Sequence, residues 1–251
     1  MSLQAVPAEA PVYQLEPRSW TIDEVQALAT SLGITGEAID QGGNTYQVTD
    51  GGELYISGNV IQYVAPRGTT GGELAGNAAL AQAARAWLLE HDIVGANVGD
   101  GVVTGRSEDV GQATVVVKPL EPSPILSLVP SASITVQGDG TVVEATIRWP
   151  GGMTPSVYGL ERADQLWSTV QAGQGFVGID PTLLPGSSGQ VTGTITLTGA
   201  DLAYTTAGSG ADQYLVPLVA FSGQAAIDGA NGPVPVTVYV AAVGAQAGPR
   251  G

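Results

Sequence analysis

The sequence predicts an α+β protein of two related halves, each an antiparallel sheet with one or two helices packed on one face. Helical periodicity is confined to three short stretches, and short alternating runs bounded by Gly, Asn and Asp fill the intervals between them. In addition, Val12-Tyr13-Gln14-Leu15-Glu16 ahead of the first helix is echoed by Val157-Tyr158-Gly159-Leu160-Glu161 ahead of the last.

Thr21-Ile22-Asp23-Glu24 opens the first helix as a capping box, in which the threonine oxygen and the glutamate side chain each satisfy an otherwise unpaired amide. Trp20 and Val25 are spaced as a hydrophobic staple, and Ile22, Val25, Leu28, Ala29 and Leu32 recur at helical spacing until Gly33. A helix over 22–32 follows. Leu80, Ala84, Trp87, Leu88 and His91 mark the second helix, with either Thr70 or Asn77 as its cap. Ala163, Leu166, Trp167 and Val170 mark the third, which Gly173 ends.

Between the first two helices, the runs 44–49, 54–57 and 61–64 read as an antiparallel meander, and strand character resumes at 102–104 and 113–118. Gly138-Asp139-Gly140 between 134–137 and 142–149 is a hairpin signal, and strands follow at 191–197, 214–221 and 236–240. Prolines 122, 124 and 130 cannot donate ladder hydrogen bonds and suggest a connector. The expected organisation is therefore a vector remnant and linker at 1–11, a half at 12–119, a connector at 120–130, a half at 131–243 and a flexible tail at 244–251. The opening Met1-Ser2-Leu3 reads as the remnant, with a signal or lipid anchor trimmed from upstream.

Eight Lys and Arg stand against 23 Asp and Glu, a net charge of -15, and Lys118 is the one lysine. Such a surface repels phosphate backbones and anionic headgroups, so nucleic acid is excluded as an expected partner. Cysteine is absent, which removes disulfides, thiolate metal sites and a cysteine nucleophile. Charged residues make up only 12% of the chain, and Gly, Ser, Thr and Gln are plentiful, a balance typical of exported β-rich proteins.

Several stretches together carry a resemblance: Leu32-Gly33-Ile34-Thr35-Gly36-Glu37, Tyr46-Gln47-Val48-Thr49-Asp50-Gly51, Ala83-Ala84-Arg85-Ala86-Trp87-Leu88, and the run from Ile134 to Val143. Tyr158-Gly159-Leu160, Leu202-Ala203-Tyr204 and the run from Tyr214 to Phe221 continue it. In this order they are similar to the PepSY-like, Yyc-type extracytoplasmic accessory domains that regulate wall-sensing kinases, and to anchored lipoproteins of high-GC bacteria. The resemblance implies paired α+β units outside the cytoplasmic membrane, secreted or anchored there, acting through contacts with another envelope protein. It supplies no catalytic residue, and the membrane helix of the kinase regulators is missing from this sequence.

No reaction can be assembled from the remaining residues. His91, the one histidine, falls at a helix end, where a positive imidazole suits the dipole, and no G-x-S-x-G elbow exists; Gly186-Ser187-Ser188-Gly189 and Gly208-Ser209-Gly210 are turn sequences. Glu90, Asp92, Asp100, Glu108 and Asp109 are close in sequence, yet Asp100-Gly101-Val102-Val103 and Asp139-Gly140-Thr141-Val142 lack the alternating oxygen ligands of a calcium loop. Gly173-Gln174-Gly175-Phe176-Val177-Gly178 spells G-x-G-x-x-G but follows a helix where a dinucleotide fold needs a strand, and reads as a helix stop and turn. The expectation is a non-catalytic binding or regulatory domain without cofactor or metal, with Trp149, Tyr204 and Tyr214 as candidate partner or ligand surface. A structural or carbohydrate-binding surface module is the alternative, and a carboxylate-based hydrolase a third reading.

Overall fold

The computed structural model describes residues 6–66, 72–184 and 192–244, and these form two compact units. One comprises residues 15–153; the other comprises the described parts of 1–14 and 154–251. The class is α+β with two antiparallel sheets, as the sequence indicates. Residues 1–5 and 245–251, expected as remnant and tail, and the turn at 186–189 lie outside the described residues.

The 15–153 unit opens with helix α1 (Ile22–Ser31), whose capping box is formed: Thr21 Oγ1 accepts from the Glu24 amide, and the Glu24 carboxylate accepts from the Thr21 amide at 2.7 Å. Strands β2 (Ile39–Asp40), β3 (Thr45–Asp50), β4 (Gly52–Ser57) and β5 (Val60–Val64) form the meander. Helix α2 (Asn77–Glu90) then buries Leu80, Ala84 and Leu88. Gly76, not Asn77, occupies the cap position; Asn77 is the first helical residue, its side-chain oxygen accepting from Arg106 Nη1 at 2.7 Å, and Thr70, the other expected cap, lies outside the described residues. Strands β6 (Val102–Ser107), β7 (Gln112–Val117), β8 (Ser131–Gln137) and β9 (Val142–Arg148) complete an eight-stranded sheet in the order β2-β3-β4-β5-β9-β8-β7-β6.

The expected boundary at 120–130 is therefore corrected. β9 adds to β5 in register from Val60↔Arg148 to Val64↔Glu144, and β8 adds to β7, so residues 131–148 belong to the same sheet as 39–117. Pro122, Pro124 and Pro130 fall in a loop inside this unit, where Lys118 Nζ donates to the backbone oxygens of Ile125 and Ser127. One continuous core joins Val25 and Leu28 of α1, Leu80 and Leu88 of α2, and Val48, Ile56, Val115, Ile134 and Ile147 of the strands.

The second unit has the sheet order β10-β1-β13-β14-β11, built from β10 (Gly152–Gly159), β1 (Glu9–Glu16), β13 (Asp212–Ile227), β14 (Val234–Ala241) and β11 (Phe176–Ile179). Strand β12 (Gly193–Ser209) pairs with the other side of β13. Helix α3 (Ala163–Gln171) buries Leu166 against Val219, Phe221, Val238 and Val240, and Trp167 meets Phe221 edge-on with centroids 6.1 Å apart. The echoed segments lie on β1, and on β10 with the two residues after it, which are neighbouring strands. Among the described residues, α1 is followed by β2–β5, α2 by β6–β10, and α3 by β11–β14.

Candidate functional site

Within the 15–153 unit, Arg18 lies on the loop from β1 to α1 and borders two clefts of about 620 and 400 Å³. The loop is held by its backbone. The Arg18 amide donates to Asn59 Oδ1 (2.6 Å), its carbonyl accepts from Asn44 Nδ2 (2.7 Å), and the Trp20 amide donates to Asn44 Oδ1 (2.9 Å). Trp20 Nε1 donates to Gly58 O and Tyr46 Oη to Trp20 O, so the indole cannot turn away. The guanidinium stands 3.9 Å from the centroid of that indole, a cation–π arrangement, and donates from Nη1 to Ile93 O at 2.6 Å. Burial lowers the Arg18 pKa, and the charge of Glu24 acts against that shift.

Asp92, which borders both clefts, has φ +50, the left-handed position after a helix that usually falls to glycine. The Ile93 amide donates to Leu88 O and the Asp92 amide to Leu89 O, closing a Schellman end on α2. His91 is the helix's final cap. Its Nδ1 is 3.1 Å from Ser31 Oγ, which itself donates to Leu28 O and so accepts from the imidazole. Burial pushes the His91 pKa down, with Glu90 opposing, so the fold favours the neutral ring over the positive one expected from the helix dipole. Arg18 thus ties the start of α1 to the end of α2, and this chemistry is anchoring. Among the described residues no group of three or more His, Asp and Glu is placed to hold a metal ion.

The three aromatic positions singled out in the sequence fall in different places. Trp149, in the 15–153 unit, is only 6% exposed and belongs to its core, with its amide bonded to Asn59 O. Tyr204, in the other unit, is 4% exposed and meets Tyr13 edge-on at 6.0 Å. Neither ring offers much surface to a partner: Trp149 packs just after the end of β9, and Tyr204 packs within β12, paired with Pro217 of β13. Tyr214 is partly exposed on β13, opposite Ala207 of β12 and Gln14 of β1.

A surface that those aromatics did not indicate is the free edge of β11. Phe176 is 72% exposed and Val177 44%, and the Phe176 ring lies 6.3 Å from that of Tyr239, tilted by 30°. Exposed sheet edges are normally blunted by charge, proline, bulges or brevity. Among the described edges, β2 has two residues, β6 carries Arg106 and a register shift after Val103, β10 carries Pro155, and β12 carries Asp201 and a register shift after Leu197. Strand β11, Phe176-Val177-Gly178-Ile179, has neither charge, proline nor register shift. It pairs with β14 from Phe176↔Tyr239 to Ile179↔Val236, and its other side has no strand partner among the described residues. Its sequence signal lies inside the G-x-G-x-x-G run: three uncharged residues, Phe-Val-Gly, directly after a helix stop.

No family model and no curated protein matches the chain. Among solved structures, the C-terminal domain of YpeB from Bacillus megaterium is similar at a TM-score of 0.41 and 12% identity, over 90% of this chain and 94% of that one. A likeness of that depth establishes neither a common fold nor an activity. Among the described residues no helix is long and apolar enough to cross a membrane.

Proposed function

We propose that this chain is a non-catalytic binding or regulatory domain that acts outside the cytoplasmic membrane, through contacts with another envelope protein. The observation that carries the reading is the short, uncharged β11 edge, with Phe176 and Val177 presented to solvent on a strand without a second strand partner among the described residues. The low charged fraction, the net charge of -15 and the resemblance of the sequence to extracytoplasmic accessory domains support the location. The Arg18 clefts are accounted for by anchoring and call for no reaction.

A photoreactive phenylalanine analogue at position 176, expressed in the native envelope, tests this reading. Covalent adducts to a protein, absent when the analogue replaces the equally exposed Leu128, are expected. Adducts at neither position, or equally at both, would overturn it. The adjacent Phe176 and Tyr239 rings favour one second reading, a carbohydrate-binding face, for which glycan in place of protein would be captured at 176.

A further inference from the structure

We propose that Asn231 is a site of spontaneous covalent modification, converted to aspartate and isoaspartate through attack by the backbone nitrogen of Gly232. The inference goes beyond the contact reading and does not depend on it. Residues 228–233 connect β13 to β14, and backbone hydrogen bonds hold only the start of this connection: the Asp228 amide donates to Thr192 O and the Ala230 amide to Ile227 O. Asn231, Gly232 and Pro233 are exposed, and neither the Asn231 side chain nor the Gly232 amide has a hydrogen-bond partner among the described residues. The other four asparagines are held. Asn44 is bonded to Arg18 O and the Trp20 amide, Asn59 to the Arg18 amide, Asn77 to Arg106, and both ends of the Asn97 carboxamide to the Glu121 backbone. Thr45, Val60, Ala78 and Val98 follow them, so a Cβ stands beside each of those backbone nitrogens. Asn231 alone is followed by glycine, whose backbone, free of a Cβ, can adopt the conformation that brings its nitrogen onto the carboxamide carbon.

The step balances with water as the only co-reactant. The Gly232 nitrogen gives its proton to solvent base and bonds to Asn231 Cγ; the Cγ–Nδ2 bond breaks, ammonia leaves, and a succinimide ring remains. Water then opens the ring on either side of that nitrogen. Cleavage from Cγ gives aspartate, and cleavage from the Asn231 backbone carbonyl carbon gives isoaspartate, in which the chain runs through the former side chain. The sum is carboxamide plus water to carboxylic acid plus ammonia, with no change of oxidation state. Each conversion adds a negative charge to a chain already at -15, and isoaspartate inserts an extra backbone methylene ahead of β14. At the nearby Asp228-Gly229 the same attack would have to expel oxygen from a carboxylate, and Asp228 Oδ2 is engaged by Thr192 Oγ1.

Purified protein aged in mildly alkaline buffer provides the test, with its chymotryptic peptide 222–239, bounded by Phe221 and Tyr239, followed by chromatography and mass spectrometry. The peptide should gain the mass difference between a carboxylic acid and an amide and resolve into two products of equal mass, one of them isoaspartyl. Peptides containing Asn44, Asn59, Asn77 and Asn97 should keep their mass over the same period. Gly232→Ala should abolish the shift while the protein stays folded, because a Cβ at Gly232 meets nothing within 4 Å. An aged 222–239 peptide of unchanged mass would overturn the proposal. So would a mass gain without the isoaspartyl product, a Gly232→Ala protein that converts at the parent rate, or a held asparagine that converts as fast as Asn231.

Discussion

Replacing Asn44 should loosen the loop that carries Arg18, by an amount the geometry lets one divide. The side chain makes two hydrogen bonds, accepting from the Trp20 amide and donating to the Arg18 carbonyl, and its backbone sits at φ 61. Losing both bonds at this part-buried site costs about 2 kcal/mol, at about 1 kcal/mol each. Alanine adds about 1 kcal/mol, because a Cβ without a compensating polar group is poorly tolerated in the left-handed region. Glycine avoids that steric penalty. Asn44→Ala is therefore expected to destabilise by about 3 kcal/mol and Asn44→Gly by about 2 kcal/mol. Urea unfolding followed by tryptophan fluorescence suits the measurement, since Trp20, Trp87 and Trp149 all belong to the 15–153 unit. If Asn44→Ala unfolds within about 0.5 kcal/mol of the parent, the two bonds do not hold the loop. If glycine proves as costly as alanine, the backbone argument is wrong.

Two further outcomes follow from the same structure. His91 has a lowered pKa in the fold, so the unfolded chain binds its proton first. Stability should be level above about 6.5 and decline as pH falls from there to the folded value, and His91→Gln should flatten that window in pH-dependent thermal melts. Among glycines, a Cβ at Gly223 would overlap the Thr196 carbonyl across the β12–β13 ladder, whereas at Gly95 it meets nothing within 4 Å. Gly223→Ala should lower the melting temperature of the protein markedly, and Gly95→Ala should leave it unchanged or raise it by reducing unfolded-chain entropy.

Signals closed within a few residues were legible in the sequence. The Thr21–Glu24 box starts α1, and Gly138-Asp139-Gly140 turns β8 into β9, with Gly140 at φ 89. Gly173 at φ 71 ends α3 as the sequence indicates, but Phe176-Val177-Gly178 form part of strand β11 and not the turn expected there. Long-range pairing was not legible. Nothing local announces that Val60–Val64 will lie beside Glu144–Arg148, and without that pairing the proline stretch looks like a boundary. Asn77, one of two candidate caps for α2, is instead its first helical residue, and its partner, Arg106, is 29 residues away. Trp149 and Tyr204 were candidate surface by residue type, but a ring's burial depends on what folds over it, and both are buried. Phe176 was hidden by its setting, since an edge strand differs from an interior one only in which neighbours it lacks.

The central claim, that this chain works by contact and not by catalysis, is tested most directly by comparing alleles at the gene's own locus. One allele carries Phe176→Ser with Val177→Lys on the β11 edge. A second carries Glu37→Gln, Asp50→Asn and Glu53→Gln, which neutralise the carboxylates along an open trough of about 1140 Å³. With both proteins shown to accumulate normally, the edge allele should reproduce the phenotype of deleting the gene, and the carboxylate allele should behave as the parent. A null phenotype from the carboxylate allele beside a normal edge allele would contradict the account and direct attention to hydrolysis in that trough.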